Sequence, residues 1–149
     1  MAAETGGTGT GHRSVSMTRL EKGLYEVRNV RGGTMRLGGG GDTEDFTPVE
    51  LLLAAIAGCS ATDVDFITTK RVDPLEYTVD AAGEKVKDDS GNHMEGLAVT
   101  FHVTFPDGPD GDRAREMLPK AIAMSHDRLC TVTRTVVRGT PIESELADQ

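Results

Sequence analysis

The sequence of 149 residues is poor in aromatic side chains, in basic side chains and in long apolar runs. It has no tryptophan, four phenylalanines and two tyrosines, so aliphatic side chains must fill most of the core. Its 16 lysines and arginines are outnumbered by 24 aspartates and glutamates, and the net charge of −8 argues against binding to nucleic-acid phosphates. No stretch reaches the roughly 18 consecutive apolar residues of a membrane span, so we expect no membrane partner.

Cysteine is the other scarce residue, with only Cys59 and Cys130 present. The N-terminus lacks the apolar stretch of a secretory signal, so we expect a cytoplasmic protein, in which a purely structural disulfide is uncommon. The two cysteines are then expected to be free, catalytic or metal-binding. The absence of a CxxC or HExxH motif disfavours a zinc site, and we expect no metal and no other cofactor. The histidines weighed as further zinc ligands are His93, His102 and His126.

Turn residues and period-2 patterns divide the chain into strands. Residues 1–13 are rich in glycine and threonine and are predicted to form a disordered tail, and residues 14–149 are predicted to form a single domain. Alternating apolar and polar residues indicate a hairpin with one buried face, and short β-branched stretches indicate further strands. The predicted strands are Ser14–Leu20, Leu24–Asn29, Thr34–Leu37, a hairpin containing Leu75–Ala81 and Leu97–Phe105, and Thr131–Val137.

A capping box predicts the main helix. Thr47 is an N-cap residue, Pro48 occupies the first helical position, and Glu50 stands at the third. The helix is predicted to run to about Lys70, and its first half is apolar on every side, which is typical of a buried central helix. A second helical region is predicted from Asp112 to about Asp127. Because strands and helices are segregated along the chain, the predicted class is α+β with a mostly antiparallel sheet.

The segments around the two cysteines resemble those of a known family. Residues 47–60 (TPVELLLAAIAGCS) and 130–135 (CTVTRT) resemble the OsmC/Ohr family of bacterial thiol proteins, and the similarity extends over residues 14–142. The order Pro-x-Glu-Leu, where characterised peroxidases have Pro-Glu-x-Leu, resembles a less characterised OsmC-like branch. The resemblance implies an intertwined homodimer built around a long central helix, with active sites at the subunit interface.

The resemblance also implies a thiol-dependent peroxidase that acts in oxidative-stress defence. The substrate would be an organic hydroperoxide, which Cys59 would attack, and Cys130 would resolve the resulting sulfenic acid as a disulfide. A dithiol reductant, such as a lipoylated protein, would restore the thiols. Two alternatives remain open: a non-catalytic dimeric module that binds an apolar small molecule and has buried structural cysteines, and a redox sensor that switches a partner.

Activation of Cys59 requires a positive group. A peroxidatic cysteine must be a thiolate, but Cys59 lies about three turns into its helix, where the N-terminal dipole has faded. Burial among aliphatic side chains would raise its pKa, so we expect an arginine to reach it. The candidates are Arg28, Arg31 and Arg36, and Arg36 best matches the arginine of the OsmC branch.

The family places a glutamate ten residues before the helix cysteine to hold this arginine. In this chain Val49 occupies that position, and the nearest acid is Glu50, nine residues before Cys59 and about 180° around the helix from it. Glu50 stays a candidate catalytic residue, although its part in the capping box accounts for it without any arginine.

Asp63 complicates the activation of Cys59. It lies one helical turn after Cys59 on the same face, where its carboxylate would disfavour the thiolate. A cation such as Arg134 could neutralise it, and a solvated aspartate at a subunit boundary is the equal alternative.

Overall fold

The computed structural model describes residues 6–149, which form two compact units, residues 6–52 and residues 53–149. Of the tail predicted over residues 1–13, residues 1–5 lie outside the described residues, and residues 6–13 are exposed and form no helix or strand. The predicted single domain over residues 14–149 stays a prediction.

The first unit contains a three-stranded antiparallel sheet, as the sequence predicted. The central strand carries Val27, which pairs with Met17 on one side and with Met35 on the other. Gly23, with φ of 77°, lies in the tight turn between the first two strands, a conformation that glycine adopts without steric cost. The strands, in sheet order, are β1 (Ser16–Glu21), β2 (Leu24–Arg28) and β3 (Thr34–Gly38).

The main helix, α1, spans Pro48–Thr68. Its predicted capping box is confirmed: the Thr47 N–H donates to Glu50 Oε1 at 2.9 Å, and the Glu50 N–H donates to Thr47 Oγ1 at 3.4 Å. By length and composition alone α1 could cross a bilayer, a property that central helices of soluble proteins share.

Only one stripe of α1 is buried in the single chain. Its members recur every four residues and therefore share one face: Ile56, Ser60, Val64 and Thr68. Most other apolar side chains of the helix are half-buried, whereas Ala54 and Ala55 are exposed and Phe66 is 64% exposed. In the single chain the described residues cover one side of the helix, so burial of its first half on every side stays a prediction.

A long hairpin in the second unit consists of β4 (Glu76–Asp88) and β5 (Gly91–Thr104). The predicted hairpin is confirmed. Its strands are longer than predicted, because backbone pairing between β4 and β5 continues as far as the turn. At that turn Asp88 Oδ1 accepts from the Ser90 N–H at 2.8 Å and from Ser90 Oγ at 2.6 Å. Gly83 lies where the register shifts, and a Cβ there would approach a Leu97 methyl carbon to 2.8 Å. This bulge therefore favours glycine.

The second helical region is α2 (Pro109–Met124), which continues into a π-helical segment, Ser125–Leu129. Pro119 lies inside α2 without ending it. The region begins three residues earlier than the predicted Asp112 and ends close to the predicted boundary.

The predicted final strand is wrong, because residues 131–138 form a helix, α3 (Thr131–Arg138). β-branched residues favour strands only weakly, and caps at both ends outweigh that preference here. The Cys130 side chain accepts from the Thr133 N–H at the start, and Gly139 ends the helix in the left-handed conformation at φ 62° and ψ 44°. Thr135 Oγ1 also donates to the Thr131 carbonyl at 2.7 Å. The class is nevertheless α+β with antiparallel sheets and three α-helices.

Tyr77 connects the hairpin to α1. Its hydroxyl donates to the Ala61 carbonyl at 2.7 Å. Burial, followed by the charge of Asp65, raises the pKa of Tyr77 to about 12. The neutral, hydrogen-bonded phenol is therefore the form that stabilises this packing.

We predict that Tyr77→Phe lowers the free energy of unfolding by about 1 kcal/mol, the usual net value of one hydrogen bond. Tyr25→Phe, in the first unit, is the matched control. Urea denaturation measures both. The folded pKa exceeds the ordinary pKa of 10, so the difference between wild type and Tyr77→Phe is complete below pH 10. It shrinks as the pH rises toward 12 because the unfolded state ionises first. Equal losses of unfolding free energy in Tyr77→Phe and Tyr25→Phe would contradict the hydrogen bond from Tyr77 to the Ala61 carbonyl.

Candidate functional site

The two cysteines lie together in the second unit. Cys59 is half-buried on α1, and Cys130 is fully buried immediately before α3. Both are free thiols. Their sulfur atoms and one carboxylate oxygen of Asp63 all lie within 4.8 Å of one another. Rotation of the side chains is therefore enough to bring the two sulfurs toward the length of a disulfide bond, about 2.05 Å.

Cys130 is the N-cap of α3, and its sulfur accepts several hydrogen bonds. The Thr133 N–H lies 3.3 Å from Cys130 Sγ, and Ser60 Oγ lies 3.6 Å from it. Burial by itself would raise the pKa of the Cys130 thiol. The bonds from the Thr133 side chain, Cys59, the Thr133 backbone and Ser60 outweigh this effect, so the pKa is held below its ordinary value.

Cys59 has the opposite tendency. Burial raises the pKa of its thiol, the Val132 N–H opposes this, and Cys130 and the Asp63 carboxylate raise it further. Of the two thiols, Cys130 therefore ionises more readily than Cys59.

The first turn of α3 favours the thiolate at both sulfurs, because the Thr133 N–H donates to Cys130 Sγ and the Val132 N–H acts to lower the pKa of Cys59. Sequence reasoning missed this source of activation because residues 131–137 were expected to form a strand. The small residue Gly139 after the β-branched run was the available signal for a helix end.

Asp63 lies beside the sulfurs, as its position on the face of Cys59 indicated. Ser125, which is 1% exposed, donates from Oγ to Asp63 Oδ2 at 2.8 Å. Within residues 6–149 no cation lies within 4.0 Å of this carboxylate, so neutralisation by Arg134, one of the two alternatives, is not seen in the single chain. Ser125 was not identified from the sequence, because no pattern links it to Asp63.

The three candidate arginines and Glu50 all lie in the first unit. The structure gives ionic or hydrogen-bond partners for Arg36, Arg28 and Glu50. Arg36 Nε lies 3.5 Å from Asp45 Oδ1, and Arg28 Nη2 lies 2.7 Å from Glu26 Oε1. Arg31 lies in the turn after β2. Glu50 is engaged in the capping box described above. Its role as a cap, which the sequence favoured, is confirmed.

The histidines weighed as zinc ligands have carboxylate neighbours. His93 lies 2.8 Å from Glu95, His102 lies 3.4 Å from Asp80, and His126 lies 3.0 Å from Asp127. In the described part of the chain, the potential ligand cluster contains Asp63 and the two cysteines and no histidine.

An apolar cavity of about 180 Å³ is lined by neighbours of Cys130, although neither cysteine lines it. Two of its lining residues, Ser60 and Thr133, are the hydrogen-bond donors to Cys130. The cavity can accept an apolar group, and Ser60 and Thr133 separate that group from Cys130. Its aliphatic and aromatic lining includes Ile56, Leu97, Val99, Phe101, Ile122 and Val136.

A family model described as OsmC-like protein matches residues 39–145, which is well over half of the chain. The chain belongs to the OsmC-like protein family. A comparison with curated protein sequences gave no match. The family assignment agrees with the resemblance seen in the segments around the two cysteines.

Solved structures show the same fold. An OsmC-like protein of unknown function from Vibrio cholerae is 17% identical, with a TM-score of 0.68, and the match covers 85% of this chain and 94% of that one. An OsmC-like protein from Mycoplasma pneumoniae is 12% identical, with a TM-score of 0.69 and coverages of 87% and 89%. The organic hydroperoxide resistance protein OhrB of Bacillus subtilis is 16% identical, with a TM-score of 0.54 and coverages of 87% and 93%.

We predict that the two thiols of this OsmC-like protein ionise in separate steps, Cys130 below and Cys59 above the ordinary thiol pKa. Ultraviolet absorbance of the thiolates during a pH titration measures both steps. Ser60→Ala removes one donor to Cys130 and should raise the lower pKa, whereas Thr62→Ala, on the same helix, should leave both steps unchanged. A Cys130→Ser variant whose remaining thiol ionised below the ordinary value would overturn the assignment, because burial still acts on Cys59.

Proposed function

We propose that this protein is a thiol-dependent peroxidase for organic hydroperoxides. The observation that carries the proposal is the convergence of two free thiols, one with a lowered pKa, in a member of the OsmC-like family. The apolar cavity lined by neighbours of Cys130 supports a substrate with an apolar organic group.

In the first step Cys59 attacks the peroxide, since it is the half-buried sulfur and Cys130 is fully enclosed. The Cys59 thiol is hydrogen-bonded to Cys130, and transfer of its proton to Cys130 yields the Cys59 thiolate without changing the charge of the pair. The thiolate then takes the terminal oxygen of the hydroperoxide, the O–O bond breaks, and the alcohol leaves after protonation.

In the second step the Cys130 sulfur attacks the sulfenic sulfur of Cys59. A disulfide forms and the sulfenic oxygen leaves as water. The lowered pKa of Cys130 supports this step, because exchange at sulfur requires a thiolate. Reduction by a dithiol, for which a lipoylated protein is our candidate, restores both thiols. We place the reaction in the cytoplasm.

A second copy of the chain is part of this proposal. The apolar side chains of α1 that are exposed in the single chain, Phe66 among them, would be covered in an intertwined homodimer. Arg36, as the family position of the activating arginine, is our candidate for opposing, in the assembled site, part of the rise that burial and Asp63 give to the pKa of Cys59.

We predict that the reduced protein consumes cumene hydroperoxide, and that each chain loses both of its free thiols for each molecule of hydroperoxide consumed. Intact mass spectrometry should show one intramolecular disulfide, and a dithiol should restore turnover. Cys59→Ser should reduce consumption to the rate of the buffer. Cys130→Ser should still form a sulfenic acid at Cys59, which dimedone traps, but should not complete the cycle.

Survival of both thiols in excess peroxide would refute the peroxidase proposal. Equal consumption by Cys59→Ser would refute the role of Cys59. Arg36→Met, compared with Arg28→Met as the matched control, tests the choice of arginine: the first variant should slow oxidation of Cys59 and the second should not.

A separate prediction distinguishes a cap from a catalytic acid at Glu50. Glutamine also serves in a capping box, so Glu50→Gln should keep both the stability and the peroxidase rate, whereas Glu50→Ala should lose about 1 kcal/mol of stability. Thermal unfolding and peroxide consumption are the two measurements. A Glu50→Gln variant that is folded but much slower would assign the carboxylate to the reaction.

A non-catalytic module that binds an apolar small molecule is the second candidate. The cavity favours it, and so does the raised pKa of Cys59, which makes that thiol less reactive near neutral pH. The peroxide experiment separates the two, because the module keeps its thiols in the presence of hydroperoxide.

A further inference from the structure

The position of Asp63 is not explained by the peroxidase chemistry. Its carboxylate lies within 4.8 Å of both sulfurs, where a negative charge opposes formation of the attacking thiolate. Yet the carboxylate is held in place by Ser125, a fully buried side chain. A positioned anion beside two thiols calls for a cation.

We propose that Cys59, Asp63 and Cys130 form a binding site for a thiophilic divalent cation, with Zn²⁺ as its physiological occupant. The proposal stands on the arrangement of these three side chains and does not depend on peroxidase activity.

The distances suit zinc. The two sulfurs and the carboxylate oxygen lie within 4.8 Å of one another. Around a tetrahedral Zn²⁺, with Zn–S about 2.3 Å and Zn–O about 2.1 Å, ligand atoms lie roughly 3.5–3.8 Å apart. Small rotations of the side chains are enough to reach this geometry. The chain supplies three ligands, and the fourth position is left for water.

The chemistry of the ligands favours zinc over harder ions. Two thiolates select soft or borderline cations, whereas Mg²⁺ and Ca²⁺ require oxygen ligands. On binding, both thiols release their protons to solvent, and the two thiolates with the Asp63 carboxylate supply three negative charges to the ion.

The surroundings are those of a metal site rather than of an isolated cluster. Ser125 orients the carboxylate from outside the ligand set, which is the usual role of an outer-shell partner, and the Val132 and Thr133 N–H groups do the same for the sulfurs. Cys59 and Asp63 are only half-buried, so an ion can approach from their side.

A bound Zn²⁺ would block both sulfurs. Alkylation of the thiols by iodoacetamide should therefore slow when zinc is present, and this measurement needs no peroxide. Its result is thus separate from the success or failure of the peroxidase assay.

The decisive experiment titrates the reduced full-length protein, freed of metal and kept in a phosphine reductant, with Co²⁺ and then with Zn²⁺. We expect one Co²⁺ per chain, with visible bands of tetrahedral cobalt and thiolate charge-transfer absorption, and displacement by Zn²⁺. Asp63→Asn should weaken Zn²⁺ binding at least about tenfold, and Ser125→Ala should weaken it by about tenfold, as the loss of an outer-shell partner does.

Asp65→Asn is the matched control, because Asp65 is an exposed carboxylate on the same helix. It should bind zinc as the wild type does, and circular dichroism establishes that each variant is folded. The proposal is overturned if the reduced wild type binds no cobalt at equimolar concentration. It is also overturned if folded Asp63→Asn binds Zn²⁺ as tightly as the wild type, since the two thiols alone would then account for binding.

Discussion

The unpaired backbone N–H groups at the start of α3 determine the chemistry of this protein. A helix leaves its first N–H groups without intrahelical partners, and here two of them are directed at sulfur atoms. Cys130 satisfies one of them as the N-cap residue, and Cys59 receives the other from across the packed interior of the second unit. The same contacts therefore start the helix, bring the sulfurs together and lower the pKa of one thiol. A substitution that unfolds this turn would therefore remove the helix start, the proximity of the sulfurs and the lowered thiol pKa together.

Much of this arrangement was accessible from the sequence, because it follows from local patterns. The capping box at Thr47 and Glu50 predicted the start of α1, and period-2 alternation predicted the hairpin. The scarcity of cysteine, together with the resemblance of the flanking segments, directed attention to Cys59 and Cys130. Each of these inferences uses residues close together in the chain, whose preferences are strong enough to survive in the folded protein.

The error at α3 has a physical cause. Threonine and valine favour strands by a small margin that depends on context, and cysteine is not among the side chains usually recognised as N-caps. The capping bond from the Thr133 N–H to Cys130 is local, but the contact of Ser60 Oγ with the same sulfur joins residues seventy positions apart. No local pattern reports such contacts. The same is true of Ser125 and Asp63, whose bond depends on how the π-helical segment packs against α1.

The negative charge around the thiols connects the two proposals. Cys130 is the thiol that ionises more readily, and the Asp63 carboxylate beside it has no ionic partner in the described part of the chain. Either an arginine of the assembled dimer or a bound cation can compensate for it, and the two have opposite consequences. An arginine leaves the Cys59 sulfur available and favours its thiolate, so it promotes attack on a peroxide. A zinc ion also favours the thiolate but occupies it, so it protects the pair until the metal leaves. Because oxidation to a disulfide removes both thiolate ligands, oxidation and zinc binding exclude each other at this site, and a peroxide strong enough to oxidise the pair would release the ion.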